Sequence, residues 1–539
     1  MTPYAHQLVS IAHNDTTPVV YDASDAGTGK TFVRIEAFRR RGGCLLVLCP
    51  KSTMHSVWAV DFRKFAPKLK VVLASAENRA AAFAEPADVY IVNHDGVNWL
   101  VKQPAKFFAR FTEIAVDEAT AFKHHTSGRS RALLKIIKHF KFRTLMSATP
   151  ASNTITDMFH QALLLDGGAR LGKLYFQFRN SVATPVQAGR GTNMVRWEDK
   201  PGAEEAVFGL LSDILIRHRL DDCADIPENH QYPLGYEMSR AQKKAYLEME
   251  TTQMLALSKL KGHVTAINAT AVATKLLQVA SGAVYESPDK YHVIDRSRYE
   301  LVLDLCQQRV HPLVIFQWKH QRDLLVDEAE KRGLTFAVFD GNTPNAERGR
   351  IVQAYQAGVY DVLFAHPKTV GHGQTLTRGT STIWASPTFD LELAIQASSR
   401  QRRIGQTEKT ETVVVIAEGT RDERAYEMML NKGMRLENFL DLASTTVPAL
   451  GVSSPPSRCS SVLLPEPDAP MIATVSPLRI ARSTPCSTVT SRRPSSKRLV
   501  RPRTSTAAAP GSSARRTALA PPGARSATPP PPNTSTAWR

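Results

Sequence analysis

The stretch YDASDAGTGKTFVRI, residues 21–35, decides how the chain is organised. It follows a short apolar segment, precedes a run with helical character, and contains Gly27, Thr28, Gly29, Lys30 and Thr31. Glycines let backbone N–H groups curl round a polyphosphate, and the N-terminus of the next helix adds a positive dipole end. A strict phosphate loop has glycine where this chain has Ser24. The spacing nevertheless predicts a phosphate loop in which Lys30 contacts the β- and γ-phosphates and the Thr31 hydroxyl ligates Mg²⁺.

Length and composition set the class of protein. The 539 residues, 42% apolar and 22% charged, provide for two or three domains with a large core. We expect no membrane span, because no run of about 18 uncharged apolar residues occurs. The six cysteines are scattered without a CxxC pair, which argues against a zinc site and a disulfide framework. They indicate a reducing cytoplasm.

The positive charge is concentrated at the end of the chain. Residues 446–539 carry 13 Lys and Arg against two acidic residues, which is +11 of the formal +18 and leaves +7 for residues 1–445. This tail holds 17 of the 33 prolines and has no Phe or Tyr, so it is predicted to be disordered. It either binds DNA non-specifically through counterion release or is not a selected sequence, such as the product of a frameshift or a mis-called gene end.

Apolar strands alternate with helical segments after the loop, as they do in a parallel α/β sheet. A strand predicted at Cys44–Cys49 precedes Lys51 and Ser52, at the edge where open α/β sheets bind ligands. These two residues could contact a nucleic-acid phosphate, and a solvated loop lysine is an equal alternative. After the strand predicted at Thr144–Met146, the hydroxyl residues Ser147 and Thr149 could link hydrolysis to domain movement.

Two adjacent carboxylates follow the predicted strand Ile114–Val116. Asp117 and Glu118 would repel each other at a strand end, and a bound Mg²⁺ explains their presence. We expect Asp117 to hold the metal through water and Glu118 to polarise the water that attacks the γ-phosphate.

A second α/β series begins near Tyr299 and has no phosphate loop of its own. One of its loops carries the candidate coupling residues Lys368, Gly371 and Thr375. A predicted helix ends in a basic cluster in which Arg400 and Arg403 are three apart and therefore share a helical face. Guanidinium groups inserted beside a transferring phosphoryl group accelerate the reaction roughly 10³–10⁵-fold, which predicts that the two series close over one nucleotide.

The ordered motifs cover about residues 3–425. They are PYAHQ (3–7), DAGTGKT (25–31), LCPKSTMHSVWAVDF (48–62), VDEATAFK (116–123), SATPASN (147–153), VIFQW (314–318), DGNT (340–343), GHGQTL (371–376) and QASSRQRRIGQ (396–406). This set resembles the superfamily-two helicases and translocases, and within them the Swi/Snf-like ATPases, particularly compact phage or bacterial versions.

The resemblance implies an α/β fold of two RecA-like parallel-sheet lobes with ATP and Mg²⁺ in the cleft and movement along double-stranded DNA. It implies that Gln7 reads the adenine, although an exposed helical glutamine is the alternative, and that Gln396, Arg400 and Arg403 form the finger motif. Thr120 and Arg402 stand where the family often has His.

We predict four segments: an ATP-binding lobe at 1–165, a helical connector at 166–298, a second lobe at 299–445 and the disordered tail at 446–539. The leading hypothesis is an ATP-dependent translocase on duplex DNA. A strand-separating or branch-migrating helicase of phage replication or recombination shares every motif. A nucleotide-dependent DNA-binding switch without turnover is the alternative from another class.

Overall fold

The chain forms two parallel β-sheets covered by helices, and the computed structural model describes residues 2–187, 195–259, 266–370 and 374–444. All of these residues lie in one compact unit. Gly371 and the tail at 446–539 lie outside the described residues, so the coupling role of Gly371 and the disorder of the tail stay predictions.

The strands are numbered in chain order. Those of the first half are β1 (Val19–Asp22), β2 (Leu45–Cys49), β3 (Val71–Ala74), β4 (Val89–Asn93), β5 (Glu113–Asp117), β6 (Phe142–Met146), β7 (Ala183–Gln187), β8 (Val195–Asp199) and β9 (Leu215–Ile216). Those of the second half are β10 (Asn229–Tyr236), β11 (Ala283–Ser287), β12 (Lys290–Val293), β13 (Leu313–Ile315), β14 (Phe336–Phe339), β15 (Val362–Ala365), β16 (Ser381–Trp384) and β17 (Thr410–Ala417).

The α-helices are numbered in the same way. Those of the first half are α1 (Ala5–Thr16), α2 (Lys30–Arg41), α3 (Ala59–Phe65), α4 (Arg79–Ala84), α5 (Val97–Leu100), α6 (Ala105–Phe108), α7 (Gly128–Ile136), α8 (Met158–Asp166), α9 (Tyr175–Val182), α10 (Ala203–Leu211) and α11 (Leu220–Cys223). Those of the second half are α12 (Arg240–Lys259), α13 (Ala266–Ala280), α14 (Ser297–Gln307), α15 (Lys319–Lys331), α16 (Asn345–Gln356), α17 (Pro367–Val370), α18 (Leu391–Ser398) and α19 (Arg421–Ser444).

The first sheet has seven strands in the order β3-β4-β2-β5-β6-β1-β9, and its neighbouring strands are parallel. Its central strands are buried on both faces, since every residue of β2 is buried, which explains their continuous apolar sequence. The register pairs Asp117 with Met146 and Met146 with Asp22. The ends of β5, β6 and β1 therefore lie side by side at the edge where the candidate site forms.

The second sheet has six strands in the order β10-β17-β16-β13-β15-β14, again with parallel neighbours. A fully buried ion pair between Arg298 of α14 and Asp422 of α19 joins its covering helices. Arg298 also donates to the carbonyl oxygens of Ala280, Ala385 and Val415. The expected α/β fold with two parallel-sheet lobes is confirmed.

The segment between the two lobes is not helical throughout. It contributes β9 to the first sheet and β10 to the second, and it forms the antiparallel hairpins β7–β8 and β11–β12. Within the helical connector predicted at 166–298, α10 ends at Leu211, and Leu215 and Ile216 pair with β1 instead. Long-range strand pairing overrides helix propensity here. The boundaries at 165 and 298 stay predictions.

Candidate functional site

The loop between β1 and α2 has the backbone that its glycines predict. Gly27 and Gly29 have φ of +96° and +89°, in the left-handed region that favours glycine. Gly29 caps the N-terminus of α2, and a Cβ atom at Gly29 would lie 2.4 Å from Nε2 of Gln7. Glycine is therefore needed at this position both for its backbone angle and for its lack of a side chain.

Lys30 closes this loop on itself. Its Nζ donates to the carbonyl oxygens of Ser24 at 2.7 Å and Asp25 at 2.9 Å. Burial lowers the pKa of Lys30, whereas the carboxyl groups of Asp22 and Glu118 act in the opposite direction. The ammonium group therefore lies against two carbonyl oxygens of the loop, in the hollow that the loop encloses.

Gln7 lies against the same loop, from helix α1. Its side chain is only 6% exposed, so it is not the solvated helical glutamine of the alternative interpretation. Its Nε2 donates to the carbonyl of Thr28 at 3.1 Å, while its Oε1 accepts from the backbone N–H of Tyr4 at 3.1 Å. Nε2 of His6 lies 2.8 Å from the same Thr28 oxygen. Helix α1 therefore brings Gln7 to the loop between β1 and α2.

Asp117 and Glu118 stand at the end of β5, as predicted. Nε1 of Trp58 donates to Asp117 Oδ2 at 2.9 Å, and the backbone N–H of Glu118 donates to Asp117 Oδ1 at 3.1 Å. Glu118 adopts the left-handed conformation with φ of +49°, a strain that non-glycine residues rarely accept outside functional sites. Burial raises the pKa of Asp117.

Glu118 is the more perturbed of the two acids. Burial, followed by the neighbouring carboxyl groups of Asp117 and Glu392, raises the pKa of Glu118 to about 8. Lys30 and Arg400 oppose that shift. Within the described part of the chain, Glu118 Oε2 is buried without a hydrogen-bond partner. An acceptor in this state is available to a water molecule or a metal-bound water.

These groups fit a divalent cation held jointly with a nucleotide. The described residues contain no group of three or more His, Cys, Asp or Glu side chains able to hold a metal by themselves. Mg²⁺ commonly takes one or two protein oxygens and completes its shell with water and phosphate oxygens. Thr31 in the first turn of α2 and Asp117 at the end of β5 are donors of that kind.

The second lobe presents its arginines to this site. Nε of Arg400 donates to the carbonyl of Gln396 at 2.5 Å, and Nε of Arg403 donates to that of Ser399 at 3.1 Å. Arg403 Cγ lies 3.6 Å from the position of a Cβ on Gly27. Burial, together with the charge of Arg403, lowers the pKa of Arg400, and burial lowers the pKa of Arg403 to about 10.

The expectation of a shared helical face is wrong in one respect. Helix α18 ends at Ser398, so Arg400 and Arg403 lie in the turn that follows it. The Arg403 side chain donates back to the Ser399 carbonyl at the end of the helix, and its Cγ still faces Gly27 of the first lobe. Arg402 points elsewhere and pairs with Asp221. The turn, rather than helical periodicity, brings Arg403 to the phosphate loop.

A hydrogen bond across the lobes lies beside Glu118. The Thr120 hydroxyl donates to Oε1 of Glu392 at 2.7 Å, and Nε2 of Gln396 donates to the same oxygen at 3.4 Å. Burial raises the pKa of Glu392. Thr120 and Gln396 thus meet through Glu392, which sequence reasoning did not identify.

Sequence reasoning also missed the contacts that Asp25 and Arg217 make beside the loop. Asp25 accepts from the backbone N–H of Leu220 at 2.9 Å and pairs with Arg217, which also donates to Ala23 O. His218 reaches back to Ser10 at 2.9 Å. The basic segment IRHRLDDCADIP (216–227) is the signal for these contacts in the sequence, where it could form a hinge but is more typical of a solvated turn.

The candidate coupling residues divide into two sets. Ser147 and Thr149 are buried next to the loop: Ser147 N–H donates to Asp22 O at 3.1 Å, and Thr149 N–H donates to Ser147 Oγ at 3.1 Å. The others lie away from the nucleotide loop, on or near the surface. Lys51, Lys368 and Thr375 are exposed, and Ser52 is half-buried.

Comparisons with known proteins identify two domains. Residues 16–281 match the SNF2-related domain, and residues 297–405 match the helicase conserved C-terminal domain. Putative protein p41 of Acyrthosiphon pisum secondary endosymbiont phage 1 is 26% identical over 453 residues, which cover 80% of this chain and 95% of that protein.

Among the described residues, none of the helices has the length and apolar character needed to cross a bilayer.

Longer eukaryotic proteins also match. The SWI/SNF-related matrix-associated actin-dependent regulator of chromatin subfamily A-like protein 1 of Xenopus tropicalis is 23% identical over 79% of this chain and 44% of its own length. The chromodomain-helicase-DNA-binding protein 1-like of Mus musculus is 24% identical, over 74% of this chain and 44% of its own length. The chain thus spans less than half of these relatives. The SWI2/SNF2 ATPase core of Sulfolobus solfataricus in complex with dsDNA aligns with a TM-score of 0.38 and 19% identity, covering 83% of this chain and 94% of that one.

Proposed function

The chain belongs to the SNF2-related family of superfamily-two helicases, whose members are nucleotide-hydrolysing enzymes that use ATP with a divalent metal, and we propose that it couples ATP hydrolysis to movement on double-stranded DNA. One observation carries this proposal. The first lobe holds the phosphate loop, and the second lobe places Arg403 against Gly27 of that loop.

We assign the grip on the nucleotide to the first lobe. When ATP binds, Lys30 leaves its two loop carbonyl oxygens and donates to the β- and γ-phosphates instead. The backbone N–H groups between Gly27 and Lys30 donate hydrogen bonds to phosphate oxygens. Gln7 contacts the adenine edge from its position beside the loop. Thr31 and Asp117 would hold Mg²⁺, which when bound neutralises charge that develops on the phosphates.

We assign water activation to Glu118. Its unpartnered Oε2 accepts a hydrogen bond from the attacking water, and its raised pKa suits a group that takes up a proton near neutral pH. The nearby arginines stabilise the charge on the equatorial phosphate oxygens. Hydrolysis therefore requires the lobes to be closed, since the acid and the arginines come from different lobes.

Closure links hydrolysis to movement on DNA. The bond from Thr120 to Glu392 exists only when the lobes meet. Ser147 follows Met146, which pairs with Asp117 in the sheet, and its Oγ accepts from the Thr149 N–H. A strand held by both lobes is displaced when they open and close. The net charge of +7 on residues 1–445 supports a polyanionic partner.

We assign DNA contact to exposed residues on both lobes. Lys51 with Ser52 follows β2 of the first lobe, and Lys368 belongs to α17 of the second, with Gly371 and Thr375 in the segment after it. The mouse relative is named a chromodomain-helicase-DNA-binding protein, which supports the same partner. The phage relative supports a role in the cytoplasm of a bacterium or an infected cell.

The decisive experiment is a Glu118→Gln substitution. We expect the variant to bind ATP and DNA as the wild type does but to lose DNA-stimulated hydrolysis. Glu330→Gln, on the exposed face of α15, is the matched control and should behave as the wild type. A wild type without DNA-stimulated ATPase would refute the proposal and favour the switch without turnover.

The DNA substrate separates the remaining alternatives. At fixed salt, ATPase rates with duplex, single-stranded and forked DNA and with RNA should be highest with duplex. Displacement of a triplex-forming strand without unwinding supports translocation. Unwinding or branch migration would instead support the strand-separating helicase.

A further inference from the structure

An aromatic surface lies at the start of the segment between the lobes, where Tyr175 packs against Phe159 of the first lobe. It consists of Lys173 to Arg179, around the start of α9, together with Trp197 of β8 and His125. Phe176 is 64% exposed, more than any other large hydrophobic side chain in the described residues, and Leu174 is 58% exposed. Exposing such groups to water is unfavourable, and clustered exposure is typical of a binding surface.

The planar groups of this surface stack on one another. The guanidinium of Arg179 lies 3.6 Å from the centre of the Trp197 ring and 5.1 Å from that of Phe176. Tyr175 stacks on His125 with 3.9 Å between ring centres and 26° between ring planes. The inner rings hold Arg179 and Tyr175 in place, so the Phe176 ring is presented to solvent from a fixed base.

The surface continues to the ligand-binding edge of the first sheet. His125 follows the turn after Glu118, and Arg129 in the first turn of α7 lies 3.8 Å from Asp95, next to the end of β4. Lys51 follows the neighbouring strand β2 at that edge. A nucleic acid in contact with this edge could therefore extend onto the aromatic surface.

The charge of the surface favours a polyanion. Lys173 is exposed, and Arg179 adds a second cation. The carboxylates beside them are engaged: Glu198 pairs with Arg196, whereas Asp199 pairs with Arg435 and accepts from the Ile155 N–H at 3.0 Å. An apolar ring flanked by cations matches a ligand that carries both flat bases and phosphates.

We propose that the aromatic surface binds unpaired nucleotides of a DNA strand, with a base stacked on Phe176 and phosphates held by Lys173 and Arg179. Paired bases in a duplex are stacked on one another and do not offer a free face, so this surface acts on single-stranded segments. The inference rests on the proposed function, because it assumes that DNA is the partner of the first lobe.

The test compares Phe176→Ala with Phe176→Trp in the full chain, using fluorescence anisotropy of a labelled oligothymidylate at fixed salt. Loss of one stacking ring weakens single-strand binding by roughly 5- to 150-fold. We expect that loss for Phe176→Ala and recovery for Phe176→Trp, whose ring also stacks. Leu247→Ala, on the exposed face of α12, should leave the affinity unchanged.

An abasic oligonucleotide of the same length isolates the role of the bases. Wild type and Phe176→Ala should bind it equally, because only phosphate contacts remain. Equal binding of the oligothymidylate by the two proteins, or an equal loss with the abasic strand, would overturn the proposal. The latter result would indicate a contribution of the ring to the fold or to docking of a protein.

Blunt-duplex-stimulated ATPase distinguishes this inference from the proposed function. It should be unchanged in Phe176→Ala. A parallel loss of duplex-stimulated ATPase would refute stacking of unpaired bases. If the wild type has no such ATPase while Phe176→Ala still loses single-strand affinity, the aromatic surface stands and the proposed motor function fails.

Discussion

Replacing Gly29 by alanine tests whether the loop between β1 and α2 is the nucleotide site. Gly29 has φ of +89° and ψ of +31°, and a Cβ there would lie 2.4 Å from Nε2 of Gln7. The substitution therefore forces either the loop out of its left-handed conformation or Gln7 out of its place. Both changes disturb the positions that we assign to phosphate and adenine.

The size of the effect follows from the contacts. A non-glycine residue in the left-handed region costs about 1–2 kcal/mol. Displaced Gln7 loses its bonds to Thr28 O and from the Tyr4 N–H, both 3.1 Å long. Each hydrogen bond contributes about 0.5–1.5 kcal/mol. The total of about 2–5 kcal/mol predicts that Gly29→Ala weakens ATP binding roughly 30- to several-thousand-fold.

The assay is titration with a fluorescent ATP analogue and Mg²⁺, beside circular dichroism to verify folding. Gly202→Ala is the matched control, because Gly202 caps α10 with φ of +76° and has nothing within 4 Å of its Cβ position. It should lose stability without losing ATP affinity. Combining Gly29→Ala with Gln7→Ala should cost less than the sum of the two, since the clash is removed. Wild-type ATP affinity in Gly29→Ala would refute the reasoning.

Three further perturbations test the closed arrangement. Arg403→Ala should lower ATP turnover roughly 10³–10⁵-fold while ATP binding is retained. The control Arg402→Ala, which breaks only an exposed ion pair, should keep the wild-type turnover. Equal kcat values for the two variants would contradict the role assigned to Arg403. Burial and Asp117 contribute most to raising the pKa of Glu118 to about 8, and Glu392 of the second lobe raises it more than Arg400 lowers it, so closure favours the protonated acid. Closure of the nucleotide-free protein, followed by fluorescence transfer between the lobes, should be strongest at low pH, weaken as pH rises toward about 8, and change little above that pH. Finally, Arg298→Met should destabilise the second lobe by about 3–5 kcal/mol in urea unfolding, because it leaves a buried carboxylate unpaired, whereas Arg296→Met, at an exposed ion pair, should cost less than about 1 kcal/mol.

Glu392 gives the site a property that its motifs do not reveal. It places a third carboxyl group near Asp117 and Glu118, and it accepts the Thr120 hydroxyl from the other lobe. The same contact that joins the lobes therefore also raises the pKa of Glu118. Lobe closure and the protonation of the candidate base are coupled by proximity, without any need for a longer pathway.

The amino-acid sequence alone determined the parts of the site that depend on neighbours in the chain. The loop around Lys30 could be predicted because glycine, lysine and threonine must follow one another at the start of a helix. Asp117 and Glu118 could be predicted because they follow a short apolar strand. Two series of alternating strands and helices likewise predicted two parallel sheets, since that alternation is a local pattern.

Only the tertiary structure decided which distant segments complete those parts. The two residues of β9 are too few for a recognisable pattern, and they become a strand because β1 offers an unpaired edge. Arg217 reaches Asp25, and Glu392 reaches Thr120, across gaps that no local periodicity spans. Arg403 meets Gly27 through a turn after α18 rather than along a helical face. Local sequence specifies backbone conformation and strand ends, whereas the packing of one lobe on the other determines which charges share the low-dielectric cleft.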